Sequence, residues 1–326
     1  MTKNKNKKKI AIAGGIILLI GATIGAYQFL FSAPEKEFRW ERIVINLDTT
    51  EEELIPRLKE QGYIRSEWAF KLTLKIRGLE GTLKPGGYKI SKTWSAWSLA
   101  LALANFRYQN WIVIPEGLRK EEMAEIAQKE LGWTEDTKEE FLNYAKEGYL
   151  FPDTYLLQVL NFEDAGKQTA KRMESNFDEK CQTIFKEFKK QNIRNDTAII
   201  LASIIQREAA NKEDMPLIAG IIWNRWLKDM KFEIDATVQY ALGKPENWWP
   251  IIKPADYKFD SLYNTYICKG RPPGPICNPG LAAIEAVAYS EESDYLYYLH
   301  DKEKKIHPAS TYEEHLENIK TFLKNE

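Results

Sequence analysis

Residues Ile43–Tyr63 read IVINLDTTEEELIPRLKEQGY, and residues Ile112–Trp133 read IVIPEGLRKEEMAEIAQKELGW. Each opens with a β-branched run suited to a strand. Each then passes a polar turn and continues as an acidic-headed amphipathic helix that stops at a glycine, Gly62 or Gly132. A second pair of blocks follows at almost the same spacing. Gly81, Pro85 and Tyr88 of GTLKPGGYKI match Gly148, Pro152 and Tyr155 of GYLFPDTYLL at an offset of 67, against 69 for the first pair. Two aligned blocks point to a duplicated unit of about 70 residues, ordered strand, helix, helix, turn, strand. The first copy is followed by WSAWSLALALANF (Trp94–Phe106), read as a helix packing on its own sheet. The second runs into a long charged helix expected over Glu163–Lys190. The expected fold class is α+β.

With 326 residues and 12% aromatics, the chain can build two or three domains with large cores. Its net charge of -1 conceals an asymmetry. Residues 1–33 carry five Lys and no acid, which leaves 41 basic against 47 acidic residues in the rest. A mildly acidic body without a basic stripe argues against nucleic acid as the main partner. After Lys3, Lys5, Lys7, Lys8 and Lys9, the 22 residues Ile10–Phe31 carry no charge. That run is long enough to cross a bilayer and longer than the apolar core of a signal peptide. The Lys cluster places the N-terminus in the cytoplasm and the body outside it. Cys181, Cys268 and Cys277 form no Cys-x-x-Cys, and His300, His307 and His315 show no zinc spacing, so no metal site or cofactor is expected. Cys268 and Cys277 flank a proline-rich loop; whether they pair is left open.

Two segments carry chemistry. TAIILASIIQREA (Thr197–Ala209) reads as an apolar helix starting near Asp196. Glu208 lies seven residues after Leu201, four after Ile204 and three after Ile205, so it continues the buried stripe. A carboxyl there is desolvated and held protonated, as a general acid must be. The plainer alternative is a helix-end Glu that reaches water or pairs with Arg225. The other segment, YNTYICKGRPPGPICNPG (Tyr263–Gly280), is too rich in Pro and Gly for a helix or a central strand. It can hold Tyr263, Asn264 and Tyr266 in one place, or it is a stiff surface loop.

Taken together and in order, IPEG at Ile114, GYLFPDTY at Gly148, LASIIQRE ending at Glu208, DATVQYALG at Asp235 and YNTY…PPGPICNPG at Tyr263 resemble the endolytic murein transglycosylases, the MltG or YceG-like family. The small repeated unit, with its turn before the last strand, looks like a LysM-type carbohydrate-binding module. The resemblance implies a Lys-rich tail at 1–9, an anchor at 10–31, a LysM-like module at 38–110, a related module at 111–190 and a mixed α/β catalytic domain at 191–326. It departs from the family at Arg271, Cys277 and Glu233, where Leu, Ser and Gln are common, and the C-terminal His307 and His315 pattern is only partly kept.

The resemblance further implies membrane-bound cleavage of the β-1,4 bond between N-acetylmuramic acid and N-acetylglucosamine in nascent glycan strands, leaving 1,6-anhydro ends. Glu208 would be the single acid and then base. Asn264 would bond the N-acetyl group, and Tyr263 and Tyr266 would position the sugar or Glu208. Asp235 and Thr237 would be wall or supporting residues, and Gly274 would let the sugar approach the backbone. Trp248 and Trp249 would stack on sugar faces or belong to the core. Glycan strands are the expected partner, and peptidoglycan synthases are candidates. Two rivals stand beside this reading: a hydrolase with Asp235 or Glu233 as a second carboxylate, and a non-enzymatic, membrane-anchored glycan-binding or divisome scaffold.

Overall fold

The computed structural model describes residues 2–159 and 163–323; Met1 of the expected tail and residues 324–326 of the expected catalytic segment lie outside them. The chain separates into two compact units, Met1–Trp111 with Leu156–Leu160, and Ile112–Tyr155 with Asn161–Glu326. The fold class is mixed helix and sheet, led by a long apolar helix.

The first unit opens with helix α1 (Thr2–Phe31), so the tail is continuous with the helix that follows it. Then come strand β1 (Glu41–Ile45), helices α2 (Glu51–Glu60) and α3 (Glu67–Arg77), strand β2 (Gly86–Ile90) and helix α4 (Ala96–Asn105). Thr50 starts α2 through a reciprocal capping box with Glu53, and three consecutive acids, Glu51, Glu52 and Glu53, fill its first turn. Ser66 caps α3 with its hydroxyl accepting from Ala69 N, and Gly78 ends the helix at φ 64°. β1 pairs antiparallel with β2, from Glu41 opposite Ile90 to Ile45 opposite Gly86. Leu54, Leu58, Phe70, Leu74, Tyr88, Ile90 and Leu99 form the core under this sheet, and α4 packs on β2 as expected.

The chain then continues through strand β3 (Gln109–Val113), helices α5 (Lys120–Leu131) and α6 (Glu135–Tyr144) and strand β4 (Thr154–Gln158), with sheet order β1-β2-β3-β4. Strand, helix, helix, strand thus occurs twice in succession. One detail recurs with it: Tyr88 Oη donates to Lys84 O at 2.7 Å, and Tyr155 Oη donates to Phe151 O at 2.6 Å.

The second unit adds helices α7 (Ala165–Lys190), α8 (Asn195–Glu208), α9 (Met215–Leu227), α10 (Asp235–Leu242) and α11 (Leu281–Ala288). Strands β5 (Tyr297–His300) and β6 (Ile306–Ala309) pair antiparallel, and α12 (Tyr312–Asn318) follows. α7 buries Met173, Phe177, Cys181, Ile184 and Phe188, one face at helical spacing, and starts two residues later than expected. α8 is different: every residue from Thr197 to Ile205 is buried. A helix apolar all round belongs in the centre, and α8 packs against α7, α9, α10 and α11. It begins at Asn195, capped by the backbone of Arg194, so Asp196 lies inside its first turn rather than capping it. Arg194 and Arg271 hold the Asp196 carboxylate at 3.0 and 3.3 Å.

Candidate active site

α8 ends at Glu208, where burial fades and a cavity of about 320 Å³ opens. Glu208, Asp235, Tyr266, Glu233, Arg225 and Tyr298 are among its walls. Glu208 keeps part of its surface open. Tyr298 Oη, from β5, donates to Glu208 Oε2 at 2.6 Å, and the backbone N–H of Ala236 at the start of α10 also bonds the carboxyl. Burial pushes the Glu208 pKa upward, and the Tyr298 and Ala236 donors pull against it, while the neighbouring Asp235 charge adds to the rise. The net direction is upward, toward a carboxyl that holds its proton.

The other carboxylates of the cavity are already engaged. Tyr266 Oη donates to Asp235 Oδ1 at 2.7 Å. Glu233 pairs with Arg225 at 3.2 Å, and the same guanidinium donates to the Phe232 and Lys231 carbonyls. Arg225 is therefore the partner of Glu233, not of Glu208.

The proline loop is fastened along α8. Ile276 N donates to Ser203 Oγ at 3.0 Å, and Gly280 N to Gln206 Oε1 at 2.9 Å. Asn278 is a buried hub: its Oδ1 accepts from Gly148 N and Leu150 N at 2.9 and 3.0 Å, and its Nδ2 donates to Glu147 Oε1 at 2.6 Å. Gly148 sits at φ +87°, and a Cβ there would collide with the Pro275 ring, so glycine is required where the two segments cross. Glu147, which the sequence reading passed over, is half-buried, and its desolvation together with the nearby Glu121 charge pushes its pKa up to about 8. All three cysteines are free; Cys277 is buried with its Sγ 3.2 Å from Ser203 O.

Of the residues expected at the site, Glu208, Asp235 and Tyr266 come together on the cavity wall. Asn264 is fully buried behind it, with Nδ2 donating to the Tyr257 and Phe259 carbonyls at 3.2 and 2.8 Å. Thr237 is also fully buried, donating to Ile234 O at 2.7 Å and bonded to Thr265 Oγ1 at 2.9 Å. Tyr263 packs on Tyr240 with ring centroids 4.8 Å apart, and its hydroxyl lies 2.9 Å from where a Gly274 Cβ would stand. Trp248 and Trp249 donate to Glu125 and Glu122, with Arg119 and Arg207 over their rings. His315 lines the cavity, whereas His307 pairs with Asp301 at 2.7 Å. Tyr298 was missed: within the aromatic run Tyr297-Tyr298-Leu299, nothing in the sequence marks one hydroxyl as facing Glu208.

A profile of the YceG-like family matches residues 43–321, from β1 to beyond α12, and takes in the whole cavity. The chain belongs to the YceG-like family. A protein of Bacillus subtilis (strain 168) named endolytic murein transglycosylase is 30% identical over 288 residues, covering 79% of this YceG-like chain and 78% of the relative. A protein of the same name from Streptococcus pneumoniae serotype 2 is 33% identical over 186 residues, 56% of this chain and 33% of that longer relative. Among solved structures, a yceG-like protein of Listeria monocytogenes matches with a TM-score of 0.59 at 26% identity, covering 85% of this chain and 98% of the other.

Proposed function

We propose that this YceG-like chain is a membrane-anchored endolytic lytic transglycosylase. It cleaves the β-1,4 bond between N-acetylmuramic acid and N-acetylglucosamine in nascent peptidoglycan strands. The observation that carries the reading is the Glu208 carboxyl, set at the end of a buried apolar helix on a cavity wall with its pKa raised. The names of the Bacillus and Streptococcus relatives support the reaction class.

Glu208 gives its proton to the glycosidic oxygen as the C1–O bond breaks, releasing the C4 hydroxyl of N-acetylglucosamine. The Glu208 carboxylate, now steadied by Tyr298 and Ala236, takes the proton of the muramic C6 hydroxyl. That oxygen closes on C1, giving a 1,6-anhydro end, and Glu208 is again protonated. No water is consumed, so whatever the bound strand does to exclude water from the cavity favours this route over hydrolysis. Tyr266 and Asp235 form the polar wall beside the sugar; Asn264, Thr237, Tyr263 and Gly274 shape the loop that carries it. No cofactor enters the cycle.

The segment Ile12–Phe31, 20 residues long, is apolar and long enough to cross a membrane. In this reading it anchors the chain in the plasma membrane with the N-terminus cytoplasmic, and the chain that follows Phe31 lies outside the cytoplasm. The two strand–helix–helix–strand modules are LysM-like glycan-holding units, and peptidoglycan synthases are the candidate protein partners.

The test is to incubate the purified full chain with uncrosslinked glycan strands and read the new ends by mass spectrometry. Anhydro-muramic ends from the native chain, and none from Glu208→Gln, are expected. A second reading keeps one observation in its favour: Asp235 and Glu233 share the cavity with Glu208. A two-carboxylate hydrolase built on them would leave reducing ends instead, and a glycan-binding scaffold would leave no new ends at all.

A further inference from the structure

The N-terminal side of α3 is tied to the end of α1, and its last residue is linked to it through Trp97 of α4. Arg65, next to the cap of α3, donates Nε and Nη2 to Ala33 O at 3.1 and 2.9 Å, and its guanidinium lies 5.6 Å from the Phe29 ring. Arg77, the last residue of α3, lies 5.5 Å from the Trp97 ring, and Trp97 stacks on Phe31 at 5.8 Å. The apolar segment Ile12–Phe31 has 20 residues. A helix of that length rises about 30 Å, the thickness of a bilayer's hydrocarbon core. If α1 spans the membrane as proposed above, Phe29 and Phe31 mark the level at which it leaves the hydrocarbon. α3 then lies beside that level, held there directly through Arg65 and linked to it through Trp97.

The composition of α3 suits that position. Its inner face, Ala69, Phe70, Thr73 and Leu74, is buried in the core of the unit. Its outer face exposes Trp68 at 62% and Ile76 at 63%, with Lys71 and Lys75 between them. Residues 65–77 hold four basic side chains and one acid, Glu67, in a body that is acidic outside its N-terminal tail. Trp and Lys on one exposed helix face are what an interfacial helix presents: the rings enter the boundary between headgroups and acyl chains while the ammonium groups stay at the phosphates. Lys71, which shares a groove with Glu51, Glu52 and Glu80, and Lys75 are the exposed cations of this face that would meet anionic headgroups.

We propose that the outer face of α3 seats the first unit on anionic lipid, with Trp68 and Ile76 inserted and Lys71 and Lys75 at the lipid phosphates. Such a seat would fix the height and tilt of the unit above the membrane, which a single span alone leaves free.

The inference rests on the membrane reading of α1, and the experiment separates the two. The full chain carrying Cys268→Ser and Ile76→Cys is labelled with an environment-sensitive nitrobenzoxadiazole dye; Cys181 and Cys277 are buried and do not compete. It is reconstituted in phosphatidylcholine vesicles with or without phosphatidylglycerol, doped with lipid spin-labelled near the top of the acyl chain. A roughly two-fold loss of emission in the phosphatidylglycerol vesicles is expected, reversed by Lys71→Glu with Lys75→Glu. Unquenched dye on a chain that resists carbonate extraction overturns the lipid seat and leaves the anchor standing. Equal quenching with and without phosphatidylglycerol overturns the charge-selective contact. Relief of quenching by soluble glycan strands overturns it too, and assigns the face to glycan. A chain that carbonate extracts removes the anchor and the proposal together.

Discussion

Tyr298 Oη donates to Glu208 Oε2 at 2.6 Å, joining strand β5 to the end of α8 across 90 residues of sequence. The bond favours the ionised carboxyl, whereas burial favours the protonated one. In the proposed cycle Glu208 first gives and then takes a proton, and such a group benefits from both pressures, because neither form is stabilised far beyond the other.

Removing that hydroxyl should move the balance in one direction. Tyr298→Phe deletes a donor to the charged form, so the Glu208 pKa rises further. In the proposed cycle the free enzyme carries the Glu208 proton, so the alkaline limb of kcat/KM should shift upward by about one pH unit. Turnover should fall about ten-fold as the base form loses its support. A pH–rate profile with the alkaline limb unmoved would show that Tyr298 only fills space.

The proposed single-carboxylate reaction makes Glu208 and Asp235 unequal. Glu208→Gln keeps size and hydrogen bonding but has no proton to transfer, and turnover should drop on the order of 10²-fold or more with glycan binding little changed. Asp235→Asn still accepts from Tyr266 and should retain substantial turnover. Equal collapse of both variants, with reducing-end products from the native chain, points to the hydrolase.

Glu147 gives a stability signature independent of turnover. Its pKa rises from 4.5 to about 8 on burial, so the folded chain binds more protons than the unfolded chain between those values. Stability therefore falls as pH climbs from about 4.5 to about 8. Glu147→Gln can still accept from Asn278 and should remove this part of the slope. Thermal melts of both chains across that range are the check, with the variant melting higher than the native chain near pH 8.

The paired tyrosines test the repeat. Tyr88→Phe and Tyr155→Phe each delete a buried hydroxyl that donates to the carbonyl four residues back. Each should cost about 0.5–1.5 kcal/mol. Tyr155→Phe should cost more, because its hydroxyl also accepts from Asn176 Nδ2 at 3.0 Å. Denaturant melts that spare one variant entirely would show that the two positions are not equivalent.

The fixed spacing of Gly81, Pro85 and Tyr88 against Gly148, Pro152 and Tyr155 is local information, and the element order of both copies was legible from it. So was the unbroken apolar stretch Thr197–Ile205, since a helix without a polar face has nowhere to go but the centre of a unit. Glu208 stood out because a carboxylate on such a helix conflicts with its surroundings, and that conflict is visible in one dimension. What the sequence left open depended on long-range geometry. A tyrosine, an asparagine or a threonine suits a wall, a core or a loop equally well by residue type. Only the packing of β5 on α8 selected Tyr298, and only the closure of the loop on its own carbonyls turned Asn264 inward. Likewise, desolvation and the nearby Glu121 charge set Glu147 apart among the many acids of the chain, and both are properties of the assembled fold rather than of any stretch within it.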